Sequence, residues 1–120
     1  MKVDYITAST PLPPHLVFPR FLLDMNVRFT AKEVYAILLD MTLNSEAAQT
    51  DQQGRRHLEF FNKTVAELID CTPSTVAQSL CELEAAGLVE KKLMARNAPY
   101  RIYVKLLLLK NNLEKRCRKW

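Results

Sequence analysis

Residues 72–92 read TPSTVAQSLCELEAAGLVEKK, and this stretch decides the fold. The Thr72 side chain is suited to capping a helix, and Pro73 suits the first helical position, where no N–H is needed. Gly87 stands where the C-terminal cap of a helix belongs. Between them, apolar residues at three- and four-residue spacings predict a helix with one buried face. The residues of that face are Val76, Leu80 and Leu83.

After Gly87 the apolar residues recur at every second position, which is typical of β-strands. Residues 88–94 and 100–107 therefore predict two antiparallel strands, joined by a hairpin tip at residues 95–99. The second strand has one apolar face and one basic and aromatic face. The predicted apolar face is Ile102, Val104 and Leu106, and the opposite face is Arg101, Tyr103 and Lys105.

A longer helix is predicted upstream, beginning near Thr30 and ending near Leu43 or Asn44. Thr30 and Glu33 have the spacing of a capping box, in which each side chain bonds the backbone of the other residue. The apolar spacing that follows indicates a stripe that faces the core. The predicted stripe is Val34, Ile37, Leu38 and Met41, widened by Tyr35 and Leu39.

Residues 44–55 are polar and predict a loop that turns at Gly54. A short strand with alternating inward and outward residues is predicted over residues 56–61. A second short helix follows, in which Thr64 and Glu67 repeat the capping-box spacing. The predicted inward residues are Leu58 and Phe60 in the strand and Val65, Leu68 and Ile69 in the helix, with His57 and Glu59 outward and Asn62 or Thr64 as the cap.

The order of these elements is helix, short strand, short helix, tight turn, longer helix and hairpin. This order predicts an α+β fold, a winged helix-turn-helix of three helices plus a β-hairpin wing, with an N-terminal extended arm. Four prolines in residues 1–19 exclude a helix there, and the apolar side chains around them indicate that the arm packs on the domain or on a partner subunit. The predicted division is a proline-rich arm over residues 1–19, a winged-helix DNA-binding domain over residues 20–109, and a basic tail over residues 110–120 that is either a short amphipathic helix or frayed.

The chain of 120 residues is long enough for one compact domain, and its net charge is +4. The charge is distributed unevenly along the sequence. Residues 1–90 contain seven Lys and Arg against twelve Asp and Glu, whereas residues 91–120 contain ten against one. A basic end of this kind indicates either a surface that meets a polyanion or a solvated tail that improves solubility.

In a helix-turn-helix the second helix enters the major groove of DNA, and its N-terminal residues reach the base edges. Gln78 is expected to face outward there, and a glutamine amide can pair with adenine. The helix contains no Lys or Arg and carries Glu82 and Glu84, so the attraction to phosphate has to come from the hairpin and the tail. The alternative is that these are ordinary solvated side chains. The residues predicted to contact DNA are Thr72, Ser74, Thr75, Gln78, Lys91, Lys92, Arg96, Asn97 and Arg101.

Catalytic, metal and cofactor sites are not expected. Cys71, Cys81 and Cys117 form no CxxC pair, so reduced thiols in a cytosolic protein are expected. With only two glycines, the chain has no glycine-rich phosphate loop. No apolar run opens the chain, and the apolar run at residues 106–109 is too short to cross a bilayer, so a cytoplasmic protein is expected.

Several short motifs, taken in order, resemble one known family. They are FPRFL at residues 18–22, AK followed by YAILLD within residues 31–40, DQQGR at residues 51–55, LCELEAAGLVEKK at residues 80–92, and P with IYV within residues 99–104. Over residues 15–105 they resemble the N-terminal domain of the plasmid replication initiator protein A (RepA) family of Gram-positive bacteria. The resemblance implies a homodimer that binds repeated origin sequences in double-stranded DNA. It also implies contacts with host replication proteins through a C-terminal domain without a counterpart here, so that the chain is either an excised domain or a short relative.

Two other functions stay open on the sequence alone. A transcriptional regulator can have the same fold, and the genomic neighbourhood of the gene would distinguish it from an initiator. A winged helix used only for protein association would work instead through the acidic body, the apolar arm and the apolar run at residues 106–109.

Overall fold

The computed structural model describes residues 3–44, 46, 48–59, 62–97 and 99–107. Within these residues the chain forms three α-helices, a short 3-10 helix and a four-stranded antiparallel sheet. In chain order the elements are the 3-10 helix Arg20–Asp24, α1 (Phe29–Asn44), β1 (Gln49–Thr50), β2 (Arg56–Glu59), α2 (Asn62–Leu68), α3 (Pro73–Ala85), β3 (Val89–Lys92) and β4 (Arg101–Val104). The predicted α+β winged helix-turn-helix is confirmed, with α2 and α3 as the helix-turn-helix and β3 and β4 as the wing.

Helix α1 contacts α3 as well as strands β2 and β4, and it forms the centre of the core. The predicted stripe is buried, apart from the partly buried Met41, and Tyr35 and Leu39 are buried with it. The Tyr35 ring packs edge-on against Phe21 at a centroid distance of 5.9 Å, and its hydroxyl donates to the backbone oxygen of Lys105 at 2.6 Å. Burial raises the pKa of Tyr35 to about 12. These contacts join the 3-10 helix, α1 and the end of β4.

α1 begins near the predicted position, but Thr30 does not cap it. The helix begins at Phe29, and the backbone N–H of Lys32 donates to the carbonyl oxygen of Arg28 at 3.2 Å. Arg28 is therefore the residue at the cap position, and Thr30 lies inside the first turn. The reason is tertiary, because the Glu82 carboxylate of α3 accepts the backbone N–H of Arg28 at 3.1 Å.

The inward face of α2 differs from the prediction at one position. Val65 is fully buried and Ile69 is partly buried, as predicted, but Leu68 is 62% exposed. Ala66 takes the second buried position. A helix of seven residues presents one narrow face to its neighbour α3, and Leu68 lies outside that face. Because α2 begins at Asn62, both predicted caps, Asn62 and Thr64, lie within the helix.

The predicted signals of α3 are confirmed. The Thr72 side chain accepts a hydrogen bond from the backbone N–H of Thr75, and Pro73 occupies the first turn. At the other end, Gly87 adopts a φ of +81°, which is inexpensive only for glycine. Its N–H donates to Glu84 O at 3.0 Å, and the N–H of Leu88 donates to Leu83 O at 2.9 Å. This pair of bonds is the Schellman motif that ends a helix and reverses the chain.

The sheet has the strand order β1-β2-β4-β3. Both wing strands are shorter than predicted, at four residues each, and Leu106, predicted inward, lies beyond the end of β4 and is exposed. β1 lies in the segment that the sequence predicts as loop, and it pairs with β2. Residues 51–55 form the turn between them, with Gly54 at a φ of +83°. A strand of two residues is too short to show the alternation of apolar and polar residues from which a strand is predicted.

The outer faces of β2 and β4 are more buried than their polar composition indicates. His57 and Leu58 are both buried, and Tyr103, predicted on the basic and aromatic face, is buried as well. The reason is that the turn between β1 and β2 brings Asp51 against the outer face of the sheet. There the Tyr103 hydroxyl donates to Asp51 Oδ2 at 2.9 Å, and the Tyr103 ring lies 5.3 Å from that of His57. The prediction for Phe60 lies outside the described residues.

The described part of the arm, residues 3–19, forms neither helix nor strand. Its apolar side chains are almost fully exposed at its start, 91% at Tyr5, and partly covered at its end, where Phe18 is 37% exposed. The start of the arm therefore does not pack on this domain, and its packing on a partner subunit stays a prediction. The predicted tail at residues 110–120 lies outside the described residues. No helix in the described part of the chain is long and apolar enough to span a membrane.

Candidate nucleic-acid interface

The four candidate residues from the helix lie within the first two turns of α3 and its cap. Ser74 and Gln78 are exposed and four residues apart, so they share one face of the helix. The hydroxyl oxygens of Thr72 and Thr75 lie 3.0 Å apart, and Thr72 Oγ1 also accepts the Thr75 N–H at 3.2 Å. The two threonines are thus engaged in holding the start of the helix. Ser74 and Gln78 are left as the polar side chains directed to solvent.

The tip of the wing carries two more candidates, Arg96 and Asn97, and both are exposed. Asn97 adopts a φ of +62°, a left-handed conformation that asparagine tolerates better than most residues, and it turns the chain. Among the described residues, no ion pair involves Arg96. Its guanidinium is therefore presented at the end of the hairpin, where an anionic partner can reach it.

The remaining three candidates do not form one surface. Successive strand residues point to opposite faces, so Lys91 and Lys92 diverge. Lys92 lies opposite Arg101 in the ladder between β3 and β4, and both belong to the outer face of the sheet. Lys92 Nζ lies 3.2 Å from Glu90 Oε1, and Arg101 Nε lies 3.6 Å from Glu59 Oε1. Both cations therefore already have a carboxylate neighbour.

Lys91 lies on the other face of the wing. Its Nζ is 4.5 Å from the centre of the Tyr100 ring, a cation–π arrangement, and its backbone N–H donates to Glu84 Oε2 at 3.3 Å. Glu84 of α3, which the sequence shows as an unfavourable negative charge, thus contacts the first part of the wing. On the opposite, outer face of the wing, the charged form of another carboxylate, Glu90, is stabilised. Hydrogen bonds from Lys105 and Lys92 hold the pKa of Glu90 below its usual value.

On the outer face of the sheet, an open cavity of about 490 Å³ lies between the β1–β2 turn and the wing. Its lining includes Tyr103 together with the cations Arg55, Lys92 and Arg101 and the carboxylate of Asp51. The Arg55 guanidinium lies 5.1 Å from the centre of the Tyr103 ring, and Lys92 Nζ lies 5.3 Å from it. Tyr103 therefore lies at the centre of the contacts on this face, although nothing in the sequence distinguishes it.

A family model described as the N-terminus of replication initiator protein A (RepA) matches residues 15–117. The chain belongs to this family. The resemblance predicted from the sequence motifs is confirmed, and with it the class of the chain, the N-terminal domain of a replication initiator.

Two solved structures are similar to this RepA N-terminal domain. One, described as the N-terminal domain of a DNA binding protein, has a TM-score of 0.70 at 19% identity, and the match covers 98% of this chain and 95% of that one. The other, described as the structure of a Rep–DNA complex, has a TM-score of 0.73 at 19% identity and covers 97% and 94%. At this identity they support the winged-helix fold. No curated protein matches the chain.

Nothing in the sequence around Arg28 indicates a role in recognition, yet this side chain lies beside the predicted recognition face of the RepA domain. Its Nε contacts Glu82 Oε1, and its Nη2 lies 3.5 Å from Gln78 Oε1. Arg28 is 54 residues distant from Glu82 in sequence, so no local pattern could reveal the pair. The signal in the sequence is indirect: an acidic residue on a helix predicted to meet DNA repels phosphate less when a cation lies near it.

Proposed function

We propose that this RepA N-terminal domain binds double-stranded DNA in a sequence-specific manner, as the origin-binding domain of a plasmid-type replication initiator. The observation that carries the proposal is the exposed polar face of α3, which the Thr72 cap holds at its start and which the wing follows directly. The Rep–DNA complex with a similar fold supports this use of the winged helix.

In the proposed complex, α3 enters a major groove and the wing meets an adjacent groove or the phosphate backbone. Ser74 and Gln78 contribute hydrogen-bonding groups to base edges, and the N-terminus of α3 favours an approaching phosphate. Arg96 at the wing tip supplies a sequence-independent electrostatic contact. Binding is non-covalent, and no catalytic residue, metal or cofactor takes part. Release of counterions from DNA then makes the affinity fall as the salt concentration rises.

We also propose that the domain acts as a homodimer in the cytoplasm on repeated origin sequences. A dimer places two recognition helices on two half-sites, which suits a target made of repeats. The arm offers a means of association because its apolar side chains, such as Tyr5, Leu12 and Leu16, are exposed on the single chain. Contacts with host replication proteins would require residues outside this domain.

The experiment that tests the proposal begins with selection of a preferred sequence by the purified chain from a random duplex library. The enriched sequence, called the selected duplex below, is then measured against a scrambled duplex by fluorescence anisotropy. Gln78→Ala is expected to lose about tenfold in discrimination at one base pair, since a good side-chain contact to a base is worth about 1–3 kcal/mol.

Arg96→Ala is the matched variant for the wing. It is expected to weaken binding to the selected and scrambled duplexes alike and to reduce the slope of log affinity against log salt by about 0.9, the loss of one phosphate contact. Equal losses on every duplex from both variants would contradict the proposed division between helix and wing. Failure of the library to yield any enriched sequence would contradict sequence-specific binding.

A further inference from the structure

The geometry points to Arg28 as a positioning residue that sets the base preference of Gln78 through the Glu82 carboxylate. This inference rests on the proposed function, because Gln78 has a base preference only if α3 meets DNA. Arg28 lies immediately before α1, in a different element from the two α3 residues that it contacts. The contact therefore depends on how α1 packs against α3.

Glu82 binds Arg28 at two points. One carboxylate oxygen accepts the backbone N–H at 3.1 Å, and the other accepts the side-chain Nε. A residue held by both its backbone and its side chain has little freedom to rotate. The other nitrogens of the guanidinium therefore keep a fixed direction. The Arg28 side chain is 59% exposed and that of Glu82 is 28% exposed, which places the pair at the surface of α3.

The guanidinium has two consequences for the surface that faces DNA. It compensates the negative charge of Glu82, which would otherwise repel phosphates. It also places a donor, Nη2, 3.5 Å from the amide oxygen of Gln78. A glutamine free of such a contact can pair with adenine by both donating to N7 and accepting from the N6 amino group.

With its oxygen turned toward Arg28, Gln78 presents mainly its NH2 donor to the groove. A donor matches the acceptors of the major groove, which are the O6 and N7 of guanine, the O4 of thymine and the N7 of adenine. Guanine offers two acceptors and thymine one, whereas adenine also presents an N6 amino group that would be left without an acceptor. We therefore expect the wild-type chain to prefer guanine or thymine at the position that Gln78 reads. Loss of Arg28 releases the amide oxygen and shifts the preference at that position toward adenine.

The test compares base preference at each position of the selected duplex for the wild type, Arg28→Ala, Arg28→Lys and Glu82→Gln. The position read by Gln78 is identified first, as the one that Gln78→Ala relaxes. Arg28→Ala is expected to shift the preference at that position by at least about fivefold toward adenine, within the range of one base contact. Arg28→Lys keeps the charge but lacks the planar fork, so it is expected to retain affinity for scrambled DNA without restoring the wild-type preference.

Lys32→Ala is the matched control, because it removes one positive charge from the first turn of α1, four residues after Arg28, and no ion pair within the described residues involves Lys32. Thermal melting of each variant separates a change in folding from a change in recognition. The inference is overturned if Arg28→Ala leaves the preference at the Gln78 position unchanged, or if it weakens all duplexes in the same proportion as Lys32→Ala. It is also overturned if Gln78→Ala relaxes no position, although the wild type selects a sequence. If the wild type selects none, it is the proposed function that fails.

Discussion

The Asp51 carboxylate accepts hydrogen bonds from the backbone N–H groups of Gln53 and Arg55, each at 2.9 Å, from Arg55 Nε at 3.2 Å and from the Tyr103 hydroxyl at 2.9 Å. Burial acts to raise the pKa of Asp51, but these bonds outweigh it and lower the pKa to about 2. One side chain thus fixes the turn between β1 and β2 and attaches it to β4.

A group whose pKa is lowered by folding stabilises the folded state when it is ionised. We expect Asp51→Asn to melt at a lower temperature than the wild type at neutral pH, because the amide cannot accept all four bonds. The contribution is fully present above the ordinary pKa of 3.8 and is lost as the pH falls toward about 2. The difference between the two melting temperatures should therefore narrow over this range in circular dichroism melts.

Asp40→Asn provides the control, because the Asp40 carboxylate makes a local contact on α1, to Asn44 Nδ2 at 2.9 Å. Its melting temperature should remain near that of the wild type. A constant difference between Asp51→Asn and the wild type from neutral to acidic pH would show that the turn does not depend on the ionised carboxylate.

At the scale of elements, the sequence predicts best those segments whose signals are local. The cap at Thr72, the proline that follows it and the reversal at Gly87 are decided within a few residues, and α3 has the predicted bounds. The end of α1 is predicted well for the same reason. Its capping residue is not, because Glu82 bonds the Arg28 backbone from another helix, and Arg28 rather than Thr30 precedes the helix. Thr30 carries a capping signal that the tertiary contact overrides.

The wing illustrates the same limit. The alternation of apolar and polar residues in the sequence predicts its hairpin. The same alternation does not predict which charged residues remain available to DNA. The outer face receives Asp51 from a turn about 50 residues earlier, and Glu59 of β2 lies beside Arg101. Cross-strand neighbours of this kind depend on strand order, which the sequence alone leaves undetermined. The candidate helix residues are thus gathered as predicted, whereas the candidate wing residues are divided between two faces and the tip.

At the scale of the whole molecule, the arm leaves a series of large apolar side chains uncovered. Val3, Tyr5, Ile6 and Leu12 are each more than three-quarters exposed. Covering an apolar segment of this kind lowers the free energy, because apolar surface is removed from water. A second copy of the chain carries the same segment. The core begins only at Phe21, so the arm is not needed to complete it.

Removal of residues 1–17 is therefore expected to convert a dimer to a monomer while the melting temperature changes little. Size-exclusion chromatography with light scattering would measure the mass, and circular dichroism would measure the fold. A full-length variant with Leu16→Ser and Val17→Ser keeps the length of the arm but weakens its apolar character, and it should dissociate at a lower dilution factor than the wild type. An unchanged dimer mass after removal of the arm would contradict its role in association.

We propose that α3 binds DNA through base-specific contacts and that the wing adds sequence-independent contacts with phosphate. Fluorescence anisotropy of the selected duplex and of a random duplex, each titrated with the full chain at two salt concentrations, tests it most directly. The expected result is tighter binding to the selected duplex at both concentrations and a steep loss of affinity for both duplexes as salt rises. Equal affinities for the two duplexes, or no binding to either at low salt, would contradict the claim.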